Sequence, residues 1–189
     1  MKILTTALLA ALPLSLAPMA QAQQRTFAIN PTASQVDFSL GGNTHQVHGI
    51  FHVQSGKVEF DPTAKTISGF VEVAASSGDS GEKSRDKKMD KDVLETQKFA
   101  QISFVPKSYT GDLAATGDST IQVSGVFTLH GAPHDITVPM QIHIEGSNLT
   151  AKGQFTVPYV KWGLKDPSVF ILKVAKEVGI DLTLVGTVQ

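Results

Sequence analysis

The chain has 189 residues, a formal net charge of −1 and no cysteine. Its length suits one domain with its own core, and its near-zero net charge offers no electrostatic footprint for nucleic acid or an anionic membrane. The lack of cysteine excludes disulfides, thiol catalysis, iron–sulfur clusters and thiolate zinc sites.

Residues 1–22 are predicted to be a signal peptide. Lys2 supplies a positive charge, residues 3–16 are apolar and uncharged, and Ala20-Gln21-Ala22 has the small-x-small pattern of a cleavage site. The apolar stretch is short for a membrane span, so we expect cleavage after Ala22 and export of the rest. Residues 23–189 are then predicted to form a single domain without stable membrane insertion.

Five segments of the exported part alternate apolar and polar residues: 36–40, 47–53, 121–129, 136–144 and 178–186. Successive side chains of a β-strand point to opposite faces, so each segment predicts a strand with one buried face. Glycine-rich turn sequences separate the segments, and no helical crossovers are apparent. We therefore predict an all-β fold, an antiparallel up-and-down barrel of about eight strands with one or two short helices in loops. A barrel is preferred to a sandwich because closure removes exposed edges.

Two stretches interrupt the alternation. Residues 76–92 are polar and charged, and we expect a loop that becomes a short helix from about Glu82, forming a lid or plug near one barrel mouth. Its expected apolar contacts are Met89, Val93 and Leu94. In residues 162–178, Asp166-Pro167 has the pattern of a helix N-cap followed by proline. The apolar residues after it are compatible with a short helix or with a bulged strand.

Seven short motifs, taken together in their order, resemble a known family. They are Ser34-x-Val36-x-Phe38, Val47-x-Gly49-x-Phe51, Arg85-Asp86, the Phe-Ala-Gln-Ile-Ser-Phe of residues 99–104, Gly125-x-Phe127-Thr128-Leu129-x-Gly131, Val138-Pro139 and the last strand, 178–185. Over residues 27–188 the chain resembles the YceI-like proteins, which are periplasmic polyisoprenoid-binding proteins with a lipocalin-like barrel. Lys88 stands where this family usually has a histidine, so no role of that histidine carries over.

The resemblance implies a periplasmic binding or carrier protein that holds a long-chain apolar lipid, a polyisoprenoid or an isoprenoid-quinone-like molecule. Its partner would be a long-chain isoprenoid or another amphiphilic lipid, and the resemblance also allows a homodimer. Burial of apolar surface, at about 25 cal/mol per Å², could hold such a chain without polar contacts. The residues expected to line the lipid tunnel are Phe38, Leu40, Phe51, Val53, Ile102, Phe104, Phe127, Met140, Ile142, Phe155, Trp162 and Leu182.

The same apolar residues also fit a barrel filled by its own side chains, which gives the alternative of a structural or stress-related interaction domain. Trp162 could then plug the barrel end instead of stacking on a ligand. The charged run at 82–92 could receive an anionic head group, but its basic and acidic residues nearly balance. A solvated helix face is therefore favoured for it.

The sequence contains no Gly-x-Ser-x-Gly elbow, no His-Glu-x-x-His helix and no glycine-rich phosphate loop. On one strand, His48 and His52 would lie about 13 Å apart, too far to share a metal ion. No catalytic residue, metal or cofactor is predicted. A metal- or haem-assisted redox site built from histidines on different strands remains as a third interpretation.

Overall fold

The computed structural model describes residues 24–43, 45–171 and 173–189, so the predicted signal peptide and its cleavage site lie outside the described residues. The described part forms ten strands. They are β1 (Arg25–Ile29), β2 (Gln35–Leu40), β3 (Val47–Phe51), β4 (Val53–Asp61), β5 (Thr66–Ala74), β6 (Gln101–Thr110), β7 (Gly117–Leu129), β8 (Ala132–Glu145), β9 (Asn148–Val157) and β10 (Val178–Val188). A short helix, α1 (Lys83–Lys88), continues into a π-helical turn at Met89–Val93.

The strands close into an antiparallel up-and-down barrel. In the sheet, β1 is followed by β4, β5, β6, β7, β8, β9 and β10, and β10 pairs back with β1. Strand β2 continues along β10 after a 3-10 turn at Pro31–Ala33, and β3 pairs with β2. With β1–β2 and β3–β4 each counted as one interrupted strand, the described residues form eight barrel strands. The predicted all-β barrel with a short helix in a loop is confirmed.

Serine hydroxyls complete the hydrogen bonding where the two long strands are interrupted. Ser34 donates to the Asn30 carbonyl at 2.8 Å and accepts from the Val185 amide at 3.0 Å. Ser77 accepts from the amide of His52, the residue between β3 and β4, at 2.8 Å. Backbone groups that lose a ladder partner at each break therefore gain a side-chain partner.

Because the strands alternate in direction, the connections divide between the two ends of the barrel. One end, called the hairpin end, carries the short connections at residues 62–65, 111–116 and 146–147. The other, called the mouth end, carries those at 41–46, 75–100, 130–131 and 158–177. The two longest connections thus meet at the mouth end, on either side of the barrel opening.

The first of these long connections folds as predicted. The Glu82 carboxylate caps α1 by accepting from the amides of Ser84, at 3.0 Å, and Arg85, at 2.9 Å. After the helix, Met89 and Val93 pack against the core and Leu94 is buried within it.

The described residues of the second long connection, 158–171 and 173–177, form neither the short helix nor the bulged strand considered from the sequence, and both expectations are wrong. Asp166 accepts from the Ser168 amide at 2.9 Å in a turn and does not begin a helix. The backbone then bonds to the β2–β3 connection, with Asn43 N donating to Lys173 O at 3.0 Å and Ala175 N to Gly41 O at 2.7 Å. These bonds between two loops replace those that a helix would make within itself.

The core includes a tightly packed region towards the hairpin end. Strand β8 alternates buried and exposed residues, and its Ile144 is only 1% exposed. The barrel closes nearby, where Gly186 of β10 meets Ala28 of β1; a Cβ on Gly186 would lie 2.0 Å from the Ala28 carbonyl oxygen. A residue without a side chain is required for this closure.

Candidate functional site

A cavity of about 470 Å³ occupies the mouth half of the barrel. Its walls are the inward faces of the strands, together with apolar side chains of the π-helical turn and of the 158–177 connection. Sites that bind small molecules commonly have volumes of roughly 300–1,000 Å³ and mainly apolar walls. The cavity therefore has the size and the chemistry of a ligand site.

The burial of the strand residues indicates that this half of the barrel is hollow. Phe127, Phe155, Ile180 and Leu182 share the inward faces of their strands with fully buried residues, yet each keeps partial exposure. A side chain in a filled core would lose nearly all of its accessible surface. Their remaining exposure is explained by the cavity they line.

A second cavity of about 110 Å³ lies deeper, towards the hairpin end. Phe127, Phe155 and Leu182 line both cavities, and the two rings meet edge to face with centroids 5.7 Å apart. These three side chains form a constriction between the cavities. Among the described residues, the only polar side-chain group in the deeper lining is the Tyr109 hydroxyl, which donates to the Asp61 carbonyl at 3.2 Å.

Charged side chains of the described residues line the mouth cavity and not the deeper one. Arg85 and Lys88 from α1, together with Lys173 from the facing connection, supply positive charge there, and Glu82 supplies the one carboxylate. The Ser84 hydroxyl, followed by the amides of Ser84 and Arg85, holds the pKa of the Glu82 carboxyl below its usual value. The cavity is thus apolar inside and mainly cationic at its rim.

Hydrogen bonds fix part of this rim. Arg85 Nε donates to Ser80 Oγ at 2.8 Å, and the Ser80 hydroxyl in turn donates to Asp86. Lys88 Nζ reaches across to the carbonyl of Pro167 at 3.3 Å and so links the two long connections. Lys87 and Lys91, also considered as head-group contacts, are exposed and lie outside the lining.

The structure places ten of the twelve predicted tunnel residues on the walls. Phe38, Leu40, Phe51 and Ile102 line the mouth cavity, Phe104, Met140 and Ile142 line the deeper one, and Phe127, Phe155 and Leu182 line both. Val53 is buried but lines neither cavity. Whether any of these residues contacts a ligand stays a prediction.

Trp162 lines neither cavity either. Its indole stacks on His134, with the rings 3.8 Å apart and 5° from parallel, and it lies 5.9 Å from Phe127. Because Phe127 and His134 pair across β7 and β8 near the mouth end, these contacts favour plugging of the barrel end over stacking on a ligand, and both roles stay predictions.

Sequence reasoning missed several lining residues. Val36, Val73, Val178 and Ile180 face the mouth cavity from strands, and the two-residue alternation with Phe38 and Leu182 could have identified Val36 and Ile180. No alternation could identify Tyr159, because it lies in the connection between two strands. Burial raises its pKa to about 12, and its hydroxyl donates to the Ala175 carbonyl at 2.8 Å.

Within 24–43, 45–171 and 173–189, no three His, Asp or Glu side chains converge as metal ligands. No helix in that part of the chain has the length and apolar character needed to span a bilayer.

Comparison with known proteins agrees with the fold. Residues 27–186 match the family model of the YceI-like domain. A UPF0312 protein of Pseudomonas syringae pv. tomato is 28% identical over 162 residues, which cover 80% of this chain and 79% of the relative.

Two solved structures share the architecture. BcnA of Burkholderia cenocepacia has a TM-score of 0.69 at 24% identity, covering 84% of this chain and 99% of that one. A polyisoprenoid binding domain from Saccharophagus degradans, implicated in plant cell wall breakdown, has a TM-score of 0.65 at 16% identity, covering 86% and 98%. These likenesses show a common fold, and the family match over residues 27–186 confirms the resemblance seen in the sequence. The chain belongs to the family of YceI-like domains.

Proposed function

We propose that this chain is a periplasmic binding or carrier protein for a long-chain apolar lipid, a polyisoprenoid or an isoprenoid-quinone-like molecule. Residues 1–22 would direct its export and be removed after Ala22. The observation that carries the proposal is the hollow, apolar mouth cavity, which continues through a constriction towards a second apolar cavity. The solved polyisoprenoid binding domain of the same fold supports it.

The shape of the apolar space favours a long ligand over a compact one. On β7, Ile121 and Val123 line the deeper cavity, Phe127 lines both, and Leu129 lines the mouth cavity. From Ile121 to Leu129 the strand spans about 26 Å at 3.3 Å per residue. An extended hydrocarbon chain could lie along this column once the Phe127 and Phe155 rings move apart.

The rim suits the polar end of an amphiphile. Arg85, Lys88 and Lys173 surround the mouth, whereas the deeper walls offer no charged partner. We infer that the head group stays at the mouth and the hydrocarbon chain lies inside, because burying a charged or polar head without partners would be unfavourable.

The lining suits binding better than catalysis. Its one carboxylate, Glu82, already accepts the amide hydrogens of Ser84 and Arg85 as a helix cap. A general acid or base must instead be able to exchange a proton with a substrate in the site. The open cavity also weighs against the alternative of a barrel filled by its own side chains.

The test is native mass spectrometry, with organic extraction, of protein purified from a periplasmic fraction. We expect the mass of a chain that begins at Gln23, together with one stoichiometric long-chain amphiphile. The same spectrum reports whether the protein is the homodimer that the resemblance allows. A bare mass that takes up neither prenols nor quinones would contradict the carrier proposal, and retention of residues 1–22 would contradict the proposed cleavage.

A further inference from the structure

Three consecutive apolar side chains project from the 158–177 connection at the mouth. Phe170 is 96% exposed, Ile171 75% and Val169 49%. In the described part of the chain, Phe70 is the only other large apolar side chain that is exposed; it lies on the outer barrel wall and is 38% exposed. We call Val169, Phe170 and Ile171 the tip. Contiguous exposed apolar residues usually mark an interaction site, whereas isolated ones need no explanation.

The tip is presented by an ordered backbone. Asn43 donates from its side chain to the carbonyl of Ile171 at 3.0 Å and accepts from the Lys173 amide at 3.2 Å. The Ser168 hydroxyl accepts from the Val174 amide at 3.2 Å and closes the loop at its base. Because these bonds hold the loop on both sides, the tip side chains point outward without leaving those backbone groups unpaired.

Lysines flank the tip on both sides in the same connection. Lys161, Lys165, Lys173 and Lys176 are all exposed, and the connection contains only two carboxylates, Asp166 and Glu177. The 158–177 connection therefore carries a local excess of positive charge, although the net charge of the whole chain is near zero. Apolar side chains surrounded by lysines are typical of a segment that enters a bilayer interface, where the lysines reach lipid phosphates.

The tip is also continuous with the cavity, because Val169 and Lys173 line its mouth. We propose that the tip inserts reversibly into the interface of an anionic lipid bilayer and holds the cavity mouth against the membrane. This proposal rests on the proposed function in one respect: the cavity ligand would then enter or leave through that contact. Three side chains are too few for a stable protein interface, which buries about 1,200 Å² or more.

The test uses the chain from Gln23 to Gln189, because the barrel and its core lie within residues 25–188 and the apolar residues 1–22 would bind vesicles by themselves. Flotation is measured with vesicles of phosphatidylcholine mixed with phosphatidylglycerol, and with phosphatidylcholine alone. The double variant Phe170→Ser/Ile171→Ser should lower the partition coefficient on mixed vesicles about tenfold or more. Lys165→Gln/Lys176→Gln should lower it several-fold, and added salt should have the same effect.

Phe70→Ser is the matched control, since it removes an exposed apolar side chain of β5 that is neither in the tip nor in the cavity lining. It should float like the wild type. Phe170 and Ile171 are not part of the cavity lining, so the tip variant should also keep wild-type affinity for farnesol in vesicle-free solution. It should, however, exchange farnesol with vesicles more slowly.

Equal flotation of the wild type and the tip variant would overturn the proposal, as would no flotation of either. A dimer in sedimentation velocity that the tip variant dissociates would make the tip a protein interface and also overturn it. If farnesol binds neither the wild type nor the variants while flotation still depends on the tip, the proposed function is contradicted and the membrane contact is supported.

Discussion

The hairpin end and the mouth end of the barrel are built from the same strands but differ in packing. At the hairpin end, short turns join the strands, Ile144 and Leu149 are buried, and the nearby cavity is small. At the mouth end, two long connections surround a cavity about four times larger, and the tip projects into solvent. From this difference we expect the hairpin end to supply most of the stability and the mouth end to provide the proposed binding site.

This division follows from general physics. A tightly packed core gives stability because each side chain keeps its full set of contacts. A binding cavity forgoes such contacts until a ligand restores them, and the ligand then stabilises the folded state by mass action.

The largest expected effect compares one substitution at both ends. Ile144→Ala should lower the free energy of unfolding by about 3–4 kcal/mol, because it leaves a void in a filled region. Ile180→Ala should cost only about 1 kcal/mol, since Ile180 already faces the mouth cavity. Urea denaturation without added lipid measures both. Equal losses would mean that the mouth end is packed as tightly as the hairpin end.

Blocking the constriction tests whether the two cavities act as one tunnel. Leu182→Trp should reduce affinity for the long prenol solanesol about tenfold or more, while farnesol, held in the mouth cavity alone, should change less than about threefold. Thr183→Trp is the control because it places the same ring on the opposite face of β10. If solanesol binding is unchanged in Leu182→Trp, the chain does not pass the constriction.

Two buried tyrosines offer a matched pair. Tyr109 donates to the Asp61 carbonyl near the hairpin end, and Tyr159 donates to the Ala175 carbonyl at the mouth. Tyr109→Phe should lower global stability by about 1 kcal/mol, the usual value of one hydrogen bond. Tyr159→Phe should chiefly speed hydrogen exchange in residues 158–177, because it lowers the free energy of local opening there by a similar amount. Its effect on the unfolding midpoint should be smaller. The reverse pattern would contradict the division between the ends.

The smallest expected effect concerns pH at α1. The folded pKa of Glu82 is lowered from 4.5, so the cap stabilises α1 above that value and is lost as pH falls through the folded pKa. Exchange of the Ser84 and Arg85 amides, corrected for its intrinsic pH dependence, should therefore accelerate in acid. Glu82→Gln should remove this acceleration. An unchanged pH profile in Glu82→Gln would show that Glu82 does not control the helix end.

The sequence predicted the barrel well because strand alternation and turn residues are local signals. The alternation at Phe127, Met140 and Leu182 identified the inward face, and the interruption of that alternation at residues 76–92 located α1. Asp166-Pro167 misled because the backbone groups of Ile171, Lys173 and Ala175 bond to residues 41–43, which are distant in the chain. The same limit hid the cavity: periodicity tells which side chains point inward, whereas the space left between them depends on the closed barrel. Trp162 could not be placed either, since its partner His134 lies on another element.

Hydrogen–deuterium exchange of the chain from Gln23 to Gln189, with and without farnesol, tests the central claim most directly. Farnesol should slow exchange most in residues 79–94 and 158–177, which surround the mouth cavity. Exchange in the hairpin-end turns at 62–65 and 146–147 should change little. Protection centred on the hairpin end, or no protection anywhere at saturating farnesol, would contradict a ligand site in the mouth half of the barrel.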